Sequence, residues 1–207
     1  MPFDTWLTFV VASTVLLLIP GPTILLVLSY AISQGRRVAV STAAGVAVGD
    51  LVAMTASLAG LGALVLASAT LFVALKWIGA VYLVYLGVKM ILSARDADFM
   101  LPEPGAISTR RTFTHAAAVT ALNPKSIAFF IAFVPQFIAP DAPLLPQFAI
   151  LIATFVSLAT VNALIYALLA GGLRERMSRP GIVAWLTRAG GATLIGMGVL
   201  TATLKRT

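Results

Sequence analysis

Pro20-Gly21-Pro22 and Asn123-Pro124-Lys125 each sit inside a long apolar run, and Asp50 is the one carboxylate inside such a run. Proline removes a backbone donor and clashes with the preceding turn, so each motif is expected to break its helix. A break leaves carbonyls unpaired on one side and amides unpaired on the other. Freed amides at a half-helix N-terminus suit a carboxylate, and freed carbonyls suit an ammonium group. An amino-acid zwitterion needs both. Gly21 lets a ligand come close to the backbone. These residues therefore offer reversible recognition of a small polar solute rather than bond-making.

Asp50 and Lys125 add charge to that setting. A helix starting near residue 40 puts Asp50 about 15 Å in, and one starting near 115 puts Lys125 at a similar depth. Both then lie near the middle of a hydrocarbon layer roughly 30 Å thick. An ionisable group there costs about 2.5–3.5 kcal/mol on insertion scales, and it usually faces a cavity or a partner. Two roles stay open. The pair can be an ion pair that locks the second helix to the fourth. Alternatively, Asp50 takes up and releases a coupling proton or pairs with a substrate ammonium, while Lys125 balances Asp50 or meets a substrate carboxylate. The prolines also allow two readings, a packing kink or a binding site. Two breaks at corresponding places in two halves favour the site. Asn162 and Ser157 put polar groups at membrane depth in a later run, where they line a path or hold a neighbouring helix. The candidate substrate-binding set is Pro20, Gly21, Pro22, Asp50, Asn123, Pro124, Lys125 and Asn162, with Asp50 also the proton-coupling candidate.

Helices that cross a bilayer have to carry these residues. Apolar runs cover roughly 6–32, 40–66, 70–92, 115–139, 146–171 and 184–204. The expected fold is an all-α integral membrane protein with six transmembrane helices, the first and fourth broken at the proline motifs. It is read as a single domain over 1–207: repeat one about 1–93, a cytoplasmic linker about 94–114, and repeat two about 115–207. Each half has an odd number of helices, so a duplicated half inserts upside down relative to its partner. Gly79-x7-Gly87 recurs as Gly190-x7-Gly198 and supports inverted repeats. The second and third runs are expected to form a tight hairpin near 67–69. Gly45-x3-Gly49 suits close helix contact, and the glycine-rich faces permit a homodimer without requiring one. Lys76-Trp77, Tyr82 and Tyr85 are read as interface or packing residues. Pro135-Gln136 is read as a bend or an end, and Arg188 as a snorkelling residue.

Composition narrows the classes. Of 207 residues, 60% are hydrophobic and 10% charged, which suits a helical membrane protein. The absence of cysteine excludes disulfides and thiol redox chemistry. One histidine, His115, and scattered carboxylates make no metal site, and no cofactor or enzymatic reaction is expected. The net charge of +7 is read as arginines flanking membrane spans, not as a nucleic-acid surface. No Lys or Arg precedes the first run, so that run is expected to be a retained helix rather than a signal peptide. Arg36 and Arg37, then Lys89, Arg95, Arg110 and Arg111, then Arg174, Arg176 and Arg179 flank alternate connections. The positive-inside rule puts those connections in the cytoplasm and both termini in the periplasm. Lys205 and Arg206 oppose this and are outnumbered.

An ordered set of motifs resembles a known family. They are Pro20-Gly21-Pro22-Thr23, Gly35-Arg36-Arg37, Gly45-Val46-Ala47-Val48-Gly49-Asp50, Lys76-Trp77-Ile78-Gly79-Ala80-Val81-Tyr82-Leu83, Asn123-Pro124-Lys125 and Phe133-Val134-Pro135-Gln136-Phe137. Across nearly the whole chain the pattern resembles the lysine exporter (LysE) and homoserine/threonine resistance (RhtB) family of amino-acid exporters. The resemblance implies a bacterial inner-membrane protein that exports amino acids on the proton gradient. Members handle basic amino acids, threonine, homoserine, homoserine lactone or other neutral amino acids. If Asp50 and Lys125 neutralise each other, no negative charge is left for a basic side chain, and a neutral amino acid such as threonine or homoserine is expected. An exporter of basic amino acids, of another small solute or of a metal ion is the alternative.

Overall fold

The computed structural model describes residues 1–19, 21–94, 108–139, 141–177 and 180–203. Pro20, most of the expected linker, Arg179, Lys205 and Arg206 lie outside the described residues, as do the side chains of Arg36, Lys76, Arg174 and Arg176. The regular elements are all helical: α1 (Phe3–Leu18), α2 (Pro22–Gln34), α3 (Arg36–Ala67), α4 (Ala69–Ser93), α5 (Thr109–Ala121), α6 (Pro124–Ala128), α7 (Leu144–Met177) and α8 (Pro180–Thr203). A π-turn over Phe129–Phe133 and a 3₁₀ turn over Val134–Phe137 extend α6. Among the described residues five stretches are long and apolar enough to cross a membrane. The α1–α2 pair, bent by 54°, makes a sixth span when taken as one.

Both proline motifs interrupt their helices. α1 stops at Leu18, and α2 restarts with Gly21 as its N-cap and Pro22 in its first turn. Proline suits that position, where its missing N–H has no helical acceptor to lose. α5 stops at Ala121, and α6 restarts with Asn123 as N-cap and Pro124 next. Gly35 ends α2 at φ +82°, a left-handed conformation that glycine adopts without a Cβ penalty.

Several helices begin earlier than the apolar runs do. α3 starts at Arg36 rather than near 40, and α5 at Thr109 rather than near 115. Hydropathy reports contact with lipid, whereas helices continue through polar residues until a cap stops them. Ser108 is such a cap, its hydroxyl accepting from the Arg111 amide at 3.3 Å. Both shifts run the same way, and Asp50 and Lys125 still come level, since the two line one cavity.

Two buried apolar clusters meet at the breaks. One is aromatic and gathers Phe9, Phe129, Phe130, Phe133, Phe137 and Phe155, with the rings of Phe130 and Phe155 edge-on at 4.8 Å. The other is built from smaller residues, among them Val27, Ala39, Ala43, Val46, Ala116, Ala163 and Val183. Its end of the bundle brings the start of α3 to the start of α5, where the Ser41 hydroxyl donates to Thr109 O at 2.8 Å. Arg37, Arg110 and Arg111 sit at that end. The Tyr30 hydroxyl and His115 Nδ1 lie 2.9 Å apart nearby.

Glycines set the closest helix approaches. A Cβ on Gly49 would fall 2.6 Å from Ala117 O and 2.7 Å from Thr120 Cβ, and one on Gly45 would overlap Phe113 O. The Gly45-x3-Gly49 pair is thus the seam between α3 and α5. α4 joins α3 at Ser68 but packs chiefly on α8. There Gly87 and Gly191 face each other's carbonyls, and each lies against an isoleucine four residues after the other: Ile195 Cγ1 and Ile91 Cγ1, both 2.7 Å from the added Cβ.

Candidate functional site

The last four carbonyls of an α-helix have no partner within the helix. At the end of α1 these belong to Leu16, Leu17, Leu18 and Ile19, and prolines at 20 and 22 bring no N–H to them. Side chains from two other helices supply the donors. Lys125 Nζ donates to Leu16 O at 2.9 Å and to Ile19 O at 3.0 Å. Asn162 Nδ2 donates to Leu17 O at 2.9 Å, and the Tyr166 hydroxyl donates to Leu18 O at 2.9 Å. Asn162 and Tyr166 lie four residues apart on α7 and so share one face. All four orphan acceptors are satisfied, which a broken helix buried in protein requires.

Across the break, Asn123 ties the two restarting helices together. Its Oδ1 accepts from the Lys125 amide at 3.0 Å and caps α6, while its Nδ2 donates to Thr23 Oγ1 at 3.0 Å in the first turn of α2. No side chain caps α2 itself. Its first turn holds no acidic residue, and the positive end of that helix dipole faces the break, where Asp50 lines a cavity beside Gly21 and Thr23.

Asp50 stands apart from this network. It is 3% exposed and accepts no hydrogen bond from a described residue, while its charge interacts with that of Lys125 across the cavity. It lines a cavity of about 30 Å³ together with Gly21, Thr23, Asn123, Lys125 and Ser126. That space holds one or two waters and no amino acid. A second cavity of about 240 Å³ shares Gly21, Asn123 and Lys125 with the first and adds Leu25, Leu86, Met90, Ser93, Thr187 and Leu194. Among the described residues, Asp50 is the only carboxylate lining either one. Among the described residues no group of His, Cys, Asp or Glu could hold a metal ion.

The residue profile of the LysE type translocators matches residues 14–205. The chain belongs to that family. Among curated relatives, the homoserine/homoserine lactone efflux protein of Salmonella typhimurium is 34% identical over 205 residues, covering 99% of each chain. The homoserine/homoserine lactone efflux protein of Salmonella typhi is 33% identical over the same span, again covering 99% of each. A membrane protein of Vibrio cholerae is 31% identical over 210 residues, covering 99% of this chain and all of its own. No solved structure matches. The family is one of translocators, and the chain is a multi-pass membrane protein.

In this LysE type translocator Gly21, Asp50, Asn123, Lys125 and Asn162 converge on one break, as their depths suggested, while Pro22 and Pro124 open the helices that restart there. Of the two roles left open for Asp50 and Lys125, the direct ion pair is not formed in this structure, although their charges interact across the cavity. The two face one cavity, but backbone carbonyls hold the ammonium. Carbonyls expected to be free for a ligand are already bonded. Tyr166 and the hydroxyl of Thr23 escaped the sequence reading. Tyr166 carried a usable signal, its spacing of four from Asn162, whereas the Thr23–Asn123 bond spans the two halves and no local pattern encodes it.

Proposed function

We propose that this translocator is a secondary active exporter of neutral amino acids, such as threonine or homoserine, across the bacterial inner membrane, driven by proton antiport. One observation carries the reading: a buried carboxylate, Asp50, with no hydrogen-bond donor among the described residues, faces the same cavity as a fixed ammonium and an uncapped helix N-terminus. A substrate ammonium and a proton are then alternative neutralisers of Asp50. Loading the proton from outside weakens the hold on the substrate and releases it. Losing the proton to the cytoplasm restores the hold. That exclusion is antiport in its simplest form. The substrate carboxylate meets the free amides at the start of α2. With Lys125 nearby and a single carboxylate among the described residues lining the two cavities, no second one there pairs with a cationic side chain, which favours neutral substrates. The naming of two relatives as homoserine/homoserine lactone efflux proteins supports the same class.

Alternating access is proposed to arise by rocking of one inverted repeat against the other. The reciprocal contact of Gly87 and Ile91 with Gly191 and Ile195 supports that symmetry. Positive-inside bias supports periplasmic termini. Liposomes loaded with a panel of labelled amino acids test the function. Gradient-driven release of a neutral class supports it, and no release of any amino acid from folded, inserted protein rules it out.

A further inference from the structure

The end of α1 has the form of a cation site whose occupant belongs to the chain. A half-helix C-terminus carries partial negative charge, and such ends coordinate Na⁺ in some ion-coupled carriers. Lys125 Nζ bridges two of the four carbonyls there, at 2.9 and 3.0 Å. It reaches them across Gly21, where an added Cβ would stand 3.5 Å from both its Cδ and its Nζ. Asn162 and Tyr166 take the other two carbonyls. Asp50 lines the same cavity and its charge acts on the ammonium from there, but the hydrogen bonds that Nζ donates go to backbone oxygens.

We propose that Lys125 is a tethered counter-cation. Its ammonium occupies the position of an alkali ion at the broken end of α1, so transport needs no Na⁺. A chain lacking that side chain binds a small monovalent cation there instead. The transport arm rests on the exporter reading above, whereas the binding arm rests on the backbone geometry alone.

Thermal unfolding of purified wild type, Lys125→Ala and Lys125→Cys tests it, in NaCl, methylammonium chloride or choline chloride at equal ionic strength. Wild type should melt alike in all three. Lys125→Ala should melt lower and recover saturably with methylammonium or Na⁺, as a native-state ligand requires, but not with the bulkier choline. The chain has no cysteine, so Lys125→Cys offers a single alkylation site. Bromoethylamine rebuilds a near-lysine ammonium there and should restore the wild-type melting temperature, whereas neutral bromoethane should not. Equal responses of Lys125→Ala to all three salts, or Na⁺-specific stabilisation of wild type, would overturn the proposal. In liposomes, wild-type efflux should be equal in Na⁺ and choline, and Na⁺-dependent efflux would overturn it too. Cation recovery of Lys125→Ala alongside a wild type that moves no amino acid would remove the exporter reading and leave the cation site standing.

Discussion

Asn162→Ala isolates what the donors from α7 do for the broken span. The Asn162 side chain is 8% exposed, and its Nδ2 is the donor to Leu17 O at 2.9 Å. Removing it leaves a carbonyl in the protein interior with no partner, at a cost of about 1–3 kcal/mol. For a chain of this size that corresponds to a melting temperature lower by about 2–12 °C. Thr160→Ala is the matched control. Its hydroxyl donates to Val156 O in its own helix at 2.6 Å, and that carbonyl keeps its helical partner when the hydroxyl goes. Thermal unfolding of both variants in one detergent gives the comparison. Asn162→Ala should fall well below Thr160→Ala, and its transport rate should fall with it as the end of α1 loses its fixed geometry. Equal melting of the two variants would refute the argument that donors from α7 hold the break.

Three further outcomes follow from the same geometry. Tyr166→Phe should cost less than Asn162→Ala in the same melting assay, about 0.5–1.5 kcal/mol, because the partly exposed site lets water replace the lost hydroxyl. Asn123→Ala and Thr23→Val, measured singly and together, should show a coupling of about 0.5–3 kcal/mol, and strict additivity would mean the bond between the two restarting helices contributes nothing. Gly49→Leu should destabilise by at least ~1–3 kcal/mol through overlap with Ala117 O and Thr120, and a neutral result would contradict the close approach of α3 to α5.

The breaks were legible because proline chemistry is local: Pro22 and Pro124 open new helices wherever they stand in such a run. The level of Asp50 and Lys125 was legible because both helix starts were placed too late by similar amounts, and the two residues line one cavity. Helix ends were not legible from apolarity, since α5 runs through Thr109, Arg110 and Arg111 under a serine cap. Least visible was what Lys125 touches. Charge alone pairs it with Asp50. Only the folded backbone shows that two carbonyls at the broken end of α1, those of Leu16 and Ile19, accept from the ammonium. Tyr166 shows the same limit, since its role depends on Leu18 O, an atom common to every residue type.

The central claim is that Asp50 carries the coupling proton, and substrate-driven proton movement tests it most directly. Wild type and Asp50→Asn are reconstituted in liposomes that enclose a pH-sensitive dye, and a gradient of a neutral amino acid such as homoserine is imposed across the membrane. The account predicts that the gradient drives protons the opposite way in wild type and that folded, inserted Asp50→Asn moves none. Proton movement of wild-type size in Asp50→Asn would contradict it.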